Sequence, residues 1–306
     1  MAQDLVVSPD VLRRVHIGPA GWSYPDWEGI VYPKPKPRGF HALPFLAQLF
    51  DCVEVNSSFY ATPSPRNTQR WIELVEDRPD FRFLAKLNQC FTHAPLLDAA
   101  DHAWEHTSFR EGIQPLIDSG KFKGLLLQFP VQFRATGSNC DRLARLLEDW
   151  QDVPCAVELR HNSWFIPKGT DWLAARGAGL LHIDLPAAKD HPPDNFRATS
   201  PLGYLRLHGR NSANWFKAGA GRDARYDYLY TSQELDQLTR KVVQMAETYE
   251  DVYVITNNHF EGQAIANAIE IQARLANDAP PAPASLIDRY PRLRSQAIPF
   301  GQRELF

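Results

Sequence analysis

The residues of this chain that could do chemistry fall at the ends of short apolar runs. In CAVELRHNSW, residues 155–164, Ala156, Val157 and Leu159 suit a buried strand, and Glu158 and Arg160 interrupt them two positions apart. Side chains two apart on a strand share a face. A lone buried charge is costly, whereas a carboxylate and a guanidinium are tolerated when they pair. The arrangement recurs: Glu54 and Asn56 close DCVEVN, Lys86 closes FRFLAK and Gln128 lies in GLLLQF. His182 and Asp184 end GLLHID, Arg206 and His208 lie in GYLRLHG, and Asn257, Asn258 and His259 follow VYVIT.

Three chemistries use these types. The first is a metal-free site for a phosphate-bearing or otherwise anionic substrate, served by a hydrolase or lyase that requires no cofactor. Arg160 and Arg206 would grip the anion and Lys86 would add a point charge. Glu54 or Glu158 would act as general base and His208 as acid, with Asn56, Gln128 and Asn257 as substrate-binding groups. Lys86 could instead form a Schiff base with a carbonyl. A binding protein with the same pocket is the non-enzymatic version. The second is a hydrolase or isomerase using zinc, manganese or magnesium, with ligands from Glu54, Glu158, Asp184, His208 and His259. No H-x-H or H-E-x-x-H spacing supports it, and Lys86, Arg160 and Arg206 oppose the negative field a cation needs.

The third is a nucleic-acid-associated module. YPKPKPRG (32–39) carries Lys34, Lys36 and Arg38, and RDARYDYLY (222–230) carries Arg222, Arg225 and three tyrosines. Trp22, Tyr60 and Trp164 lie in segments after apolar runs, where planar rings could stack on bases or sugars.

Such residues need elements to position them. Eight apolar runs, at 15–20, 51–56, 81–86, 124–129, 155–160, 179–184, 203–209 and 252–258, predict strands. Helical patterns lie between most of them. Ser64-Pro65 opens one, Leu143, Leu146, Leu147 and Trp150 line another, and Thr231 with Glu234 forms a capping box before a third. Ile265, Ala268 and Ile269 mark a last helix. Eight alternating strands and helices predict an α/β fold, a TIM-type (β/α)8 barrel over residues 15–276, with its polar strand ends gathered at the C-terminal mouth. The Gly18-Pro19-Ala20-Gly21 turn lacks the dinucleotide fingerprint of an open doubly wound sheet. Residues 277–306 read as a proline-rich linker and tail.

Composition narrows the class. The 306 residues carry a net charge of −3, which argues against an extended nucleic-acid footprint. Four cysteines without paired spacing predict a reduced, cytoplasmic protein, and no apolar run suggests a membrane span.

GPAGWSYPDWEGIVYP, VEVNSSFY, FRFLAK, LLLQFP, VELRHNSWF, YLRLHGRN and VITNNHFEGQAIANA together resemble the YecE-like family, a domain of unknown function. The resemblance implies a TIM-type barrel and brings no established reaction. Its folds are likened to endonuclease IV and xylose isomerase barrels. Its recurrent positions fall on Glu54, Asn56, Lys86, Gln128, Glu158, Arg160, Arg206, His208 and Asn257. The final QRELF also resembles the peptides that hold bacterial sliding clamps, with Gln302, Leu305 and Phe306 as the matching residues. It departs from them at Arg303.

Overall fold

In a computed structural model, residues 7–96 and 98–300 are described, Phe300 by its backbone. All eight expected runs are strands: β1 (Val15–Pro19), β2 (Cys52–Val55), β3 (Arg82–Lys86), β4 (Phe122–Gln128), β5 (Cys155–Glu158), β6 (Gly179–Leu180) with β7 (His182–Asp184), β8 (Leu202–Leu207) and β9 (Asp251–Thr256). The sixth run is split at Leu181, which gives two short strands. One sheet has the order β2-β3-β4-β5-β6 and the other β1-β9-β8-β7. Sheet neighbours are chain neighbours, except that the first strand pairs in parallel with the last, Val15 opposite Val252 through Pro19 opposite Thr256. The fold class is α/β, the TIM-type (β/α)8 barrel.

The described chain divides into two compact units, residues 53–183 with 188–204, and residues 7–52 with 184–187 and 205–300. In the first, Leu125, Leu127, Val157, Phe83, Phe109 and Trp150 are wholly buried. The helix Pro65–Glu73 starts where expected, Ser64 Oγ accepting from Asn67 N. Leu143, Leu146, Leu147 and Trp150 all turn inward. The longest helix, Ala99–Asp118, has a weak apolar stripe and a proline at 115, so its periodicity is faint in the sequence.

In the second unit the capping box of Thr231 and Glu234 is present on the helix Ser232–Thr248. The helix Gln263–Ala276 is buried along most of its length, as a helix apolar on several faces must be. Gly18 is required by proximity: a Cβ there would stand 1.9 Å from the Cys52 carbonyl oxygen.

Residues 281–300 correct the reading of a linker and tail. Pro281–Pro283 pairs in parallel with Ile298–Phe300. Between them lies the helix Ala284–Arg289, whose Leu286 is fully buried, as is Leu293 after it. Prolines suit a short edge strand that need not donate N–H groups, so a proline-rich stretch concealed a folded element. Gln302, Leu305 and Phe306 lie outside the described residues. Among the described residues no helix is long and apolar enough to cross a membrane.

Candidate functional site

In the unit of residues 53–183 and 188–204, register places the polar strand ends on one face. Lys86 lies opposite Leu126, and Gln128, two residues on, lies opposite Glu158, so Lys86, Gln128 and Glu158 point to the same side. All three are buried. Arg160 brings Nε to 2.7 Å and Nη2 to 2.6 Å from Oε1 of Glu158, so one edge of its planar fork is engaged. The Lys86 ammonium stands 3.5 Å over the Phe59 ring. Glu54, fully buried, accepts from the Tyr204 hydroxyl at 2.6 Å.

His93, after the short helix Gln89–Thr92, meets Phe59 edge-on at 5.0 Å and is exposed to solvent. Its imidazole is held well below its ordinary pKa, first by desolvation, then by Lys86 and Arg160, each of which outweighs the opposing influence of Glu158. Neither His93 nor Tyr204 was selected from sequence: one follows a loop helix, and the other sits mid-strand among apolar residues.

Tyr204→Phe removes one donor from a carboxylate that has left water. The expected result is a loss of about 1–3 kcal/mol in urea unfolding. An unchanged midpoint would show that other contacts suffice for Glu54.

The other unit holds Asp184, Arg206, His208, Asn257 and His259. Arg206 is 1% exposed and His208 fully buried. The Asn257 amide nitrogen lies within hydrogen-bond distance of Nδ1 of His208, at 2.9 Å. Asp184 is engaged on both oxygens. Arg210 contacts it with Nε at 2.9 Å and Nη2 at 2.6 Å, and the buried Tyr230 hydroxyl donates to it at 2.7 Å. Burial first, then Asp184, pushes the Tyr230 phenol far above its ordinary pKa, so it remains a donor. Arg210 also reaches Glu234, which accepts from Tyr228 at 2.8 Å. Arg210 was missed because it follows Gly209, beyond the apolar run, although YLRLHGRN contains it.

His259 is 3% exposed and meets two tyrosines, Tyr24 stacked at 4.5 Å and Tyr226 tilted at 5.2 Å. Burial first, then Arg222, lowers its pKa to about 4. A histidine with a depressed folded pKa stays neutral while the unfolded chain takes up a proton. Its contribution is complete above about pH 6.5 and falls as pH drops toward 4, by on the order of 3 kcal/mol. Chemical denaturation between pH 7 and pH 4 should show this loss, reduced in His259→Phe; equal acid sensitivity in both proteins would contradict it.

Several expected residues have other roles. Trp164 is 1% exposed, lies parallel to Phe133 at 5.5 Å and donates Nε1 to the Phe133 carbonyl. It is a packing residue, not a ligand platform. Tyr60 is 63% exposed. Trp22 is half-buried, its carbonyl accepting from the Tyr32 hydroxyl. Asn56 is half-buried, and its carbonyl accepts from Phe59 N as the chain enters the short turn Ser57–Phe59. Among the described residues no group of three His, Cys, Asp or Glu is placed to hold a metal. Of the alternative ligands, Glu158 is engaged by Arg160 and Asp184 by Arg210. Of the tyrosines in RDARYDYLY, Tyr228 and Tyr230 are tied to carboxylates, and Lys36 of the proline-rich loop pairs with Glu28.

Residues 16–287 match the family described as "Protein of unknown function DUF72". The UPF0759 protein YunF of Bacillus subtilis is 31% identical over 267 residues, 83% of this chain and 92% of that protein. The UPF0759 protein YecE of Escherichia coli K12 is 32% identical over 119 residues, 39% of each chain. A crystal structure of a DUF72 family protein from Enterococcus faecalis superposes with a TM-score of 0.75 at 28% identity, covering 86% of this chain and 95% of that one. One from Thermotoga maritima gives 0.72 at 31% identity, covering 86% and 99%.

Proposed function

The chain belongs to the DUF72 family, and on that premise we propose that it binds an anionic, phosphate-bearing substrate at the C-terminal ends of β3, β4 and β5. The observation that carries this reading is the pair of cations, buried Lys86 and Arg160, at the same strand ends as Gln128 and Glu158. Arg160 engages Glu158 with one edge of its fork and keeps its remaining N–H groups for an incoming oxyanion. Lys86 supplies a second positive charge in a desolvated setting, where electrostatic attraction is stronger than in water.

The chemistry follows from what stands beside these cations. Glu158 is a carboxylate held in a fixed orientation, suited to accept a proton from a substrate hydroxyl or water. Neutral His93 could pass a proton on. Gln128, paired with Glu158 in register, offers a neutral donor and acceptor that orient substrate without altering the field. This arrangement supports a hydrolase or lyase acting without a metal; a binding protein using the same cations is the simpler outcome.

Thermal unfolding of the full chain with inorganic phosphate, pyrophosphate and a set of sugar phosphates tests the reading. We expect at least one of them to raise Tm in a concentration-dependent way that Arg160→Lys shifts to much higher ligand concentration. Stabilisation by divalent cations alone, with none by the phosphates, would favour the metal-dependent alternative.

A further inference from the structure

The eight residues from Thr256 to Gln263 hold an unusual concentration of polar atoms without partners. Among the described residues, Thr256 Oγ1, Asn258 Oδ1, both ring nitrogens of His259 and Gln263 Oε1 are buried and make no hydrogen bond. Their residues are 0%, 0%, 3% and 8% exposed. Folded proteins leave only a few such groups per roughly 100 residues, so this cluster calls for an occupant.

The chemistry of that occupant follows from what each group can still do. Asn258 Nδ2 donates to the Tyr228 carbonyl at 2.7 Å and to Asn267 Oδ1 at 2.8 Å, and Gln263 Nε2 donates to Asp227 at 2.8 Å. Both amides are therefore fixed, and their oxygens need donors. His259 is neutral near pH 7 and offers one donor and one acceptor. Thr256 offers both. A free phosphate would set its oxygens against two amide oxygens. A planar base would compete for stacking with Tyr24, which already lies parallel to His259 at 4.5 Å, and with Tyr226, tilted against it at 5.2 Å. Hydroxyl groups, which donate and accept, match the set, and Trp215 and Tyr226, perpendicular at 5.5 Å, add apolar walls for C–H faces.

Segment 210–228 covers this place. Its short helices Ser212–Trp215 and Arg222–Tyr226 bring Trp215 against His208 and Tyr226 against His259. It begins after Gly209, whose φ is 86°, and turns again at Gly219, φ 78°, where no neighbour lies within 4 Å of a built Cβ. The Asn211 amide ties the segment to itself through the carbonyls of Ala224 and Asp227. Just past His259, Glu261 adopts φ 46°, held there by Asp26, which accepts from its N–H at 2.6 Å. Backbone strain of this kind collects where a site is preorganised.

We propose that the end of β9, beneath segment 210–228, binds a neutral polyhydroxylated ring of the sugar class, and that this segment is the flap that admits it. The proposal uses other residues and neutral probes, so it stands or falls separately from the anion reading.

The test follows tryptophan fluorescence of the full chain, because Trp27 donates to the His259 carbonyl at 2.7 Å and Trp215 lies on the flap. The probes are D-glucose, D-fructose, D-ribose and myo-inositol, with adenine as a planar comparison. At least one polyol should give a saturable change and slow hydrogen exchange across 210–228. His259→Phe keeps the aromatic stack and removes both nitrogens; it should weaken binding at least tenfold with Tm unchanged or raised. Thr256→Val, a near-isosteric second variant, should weaken binding in the same direction. No saturation by any polyol, unchanged affinity in both variants, or saturation by adenine alone would overturn the proposal.

Discussion

Asp184→Ala is expected to cost about 2–3 kcal/mol of stability, because it removes the carboxylate that Arg210 and Tyr230 share and leaves Arg210 only its contact with Glu234. Arg210 meets both oxygens of Asp184, and Tyr230, 0% exposed, points its hydroxyl at the same carboxylate. Removing the carboxylate strands the Tyr230 hydroxyl and leaves Arg210 only Glu234. Removing Arg210 instead leaves the acid with Tyr230 alone among these donors. The double variant Asp184→Ala/Arg210→Ala should therefore cost little more than either single change, a coupling that a double-mutant cycle reads directly. Additive losses would mean that the two residues act independently. This network also explains why Asp184 serves poorly as a metal ligand: a cation would have to displace a guanidinium and a phenol.

Arg160→Lys is expected to weaken phosphate binding by about 10- to 100-fold, the range for losing one or two charge-assisted hydrogen bonds. Lysine keeps the positive charge beside Glu158, so the buried carboxylate stays compensated, but an ammonium lacks the planar fork that grips two oxygens together. The far-ultraviolet spectrum should be unchanged. Arg160→Ala would remove the charge as well and leave Glu158, 0% exposed, without its guanidinium, so lost binding there could reflect lost structure. Isothermal titration with phosphate separates the cases: near wild-type affinity in Arg160→Lys would show that charge alone suffices.

Much of this was legible in the sequence, for physical reasons. Buried parallel strands read as unbroken apolar runs, so all eight were found, and polar residues closing such runs are conspicuous. The pairing of Glu158 with Arg160 followed from the two-residue period alone. Residues whose roles depend on tertiary neighbours stayed hidden. Arg210 is a loop arginine until Asp184 is placed beside it, and Tyr204 is one more strand residue until its hydroxyl meets Glu54. Trp164 failed as a platform because a tryptophan after a strand packs inward as readily as it faces a ligand; its place against Phe133 decides the matter. The run NDAPPAPAS hid a strand because composition reports chain stiffness and not what the chain packs against.

The measurement that bears most directly on the central claim is a phosphate titration read at the His93 imidazole by nuclear magnetic resonance. With the site empty, desolvation and then Lys86 and Arg160 hold its pKa low. An oxyanion bound between those cations should cancel much of their field and return the His93 pKa toward its ordinary value, saturably, in the wild-type chain and at much higher phosphate in Arg160→Lys. A His93 titration that phosphate leaves untouched, or moves equally in both proteins, would contradict an anion site built on Lys86 and Arg160.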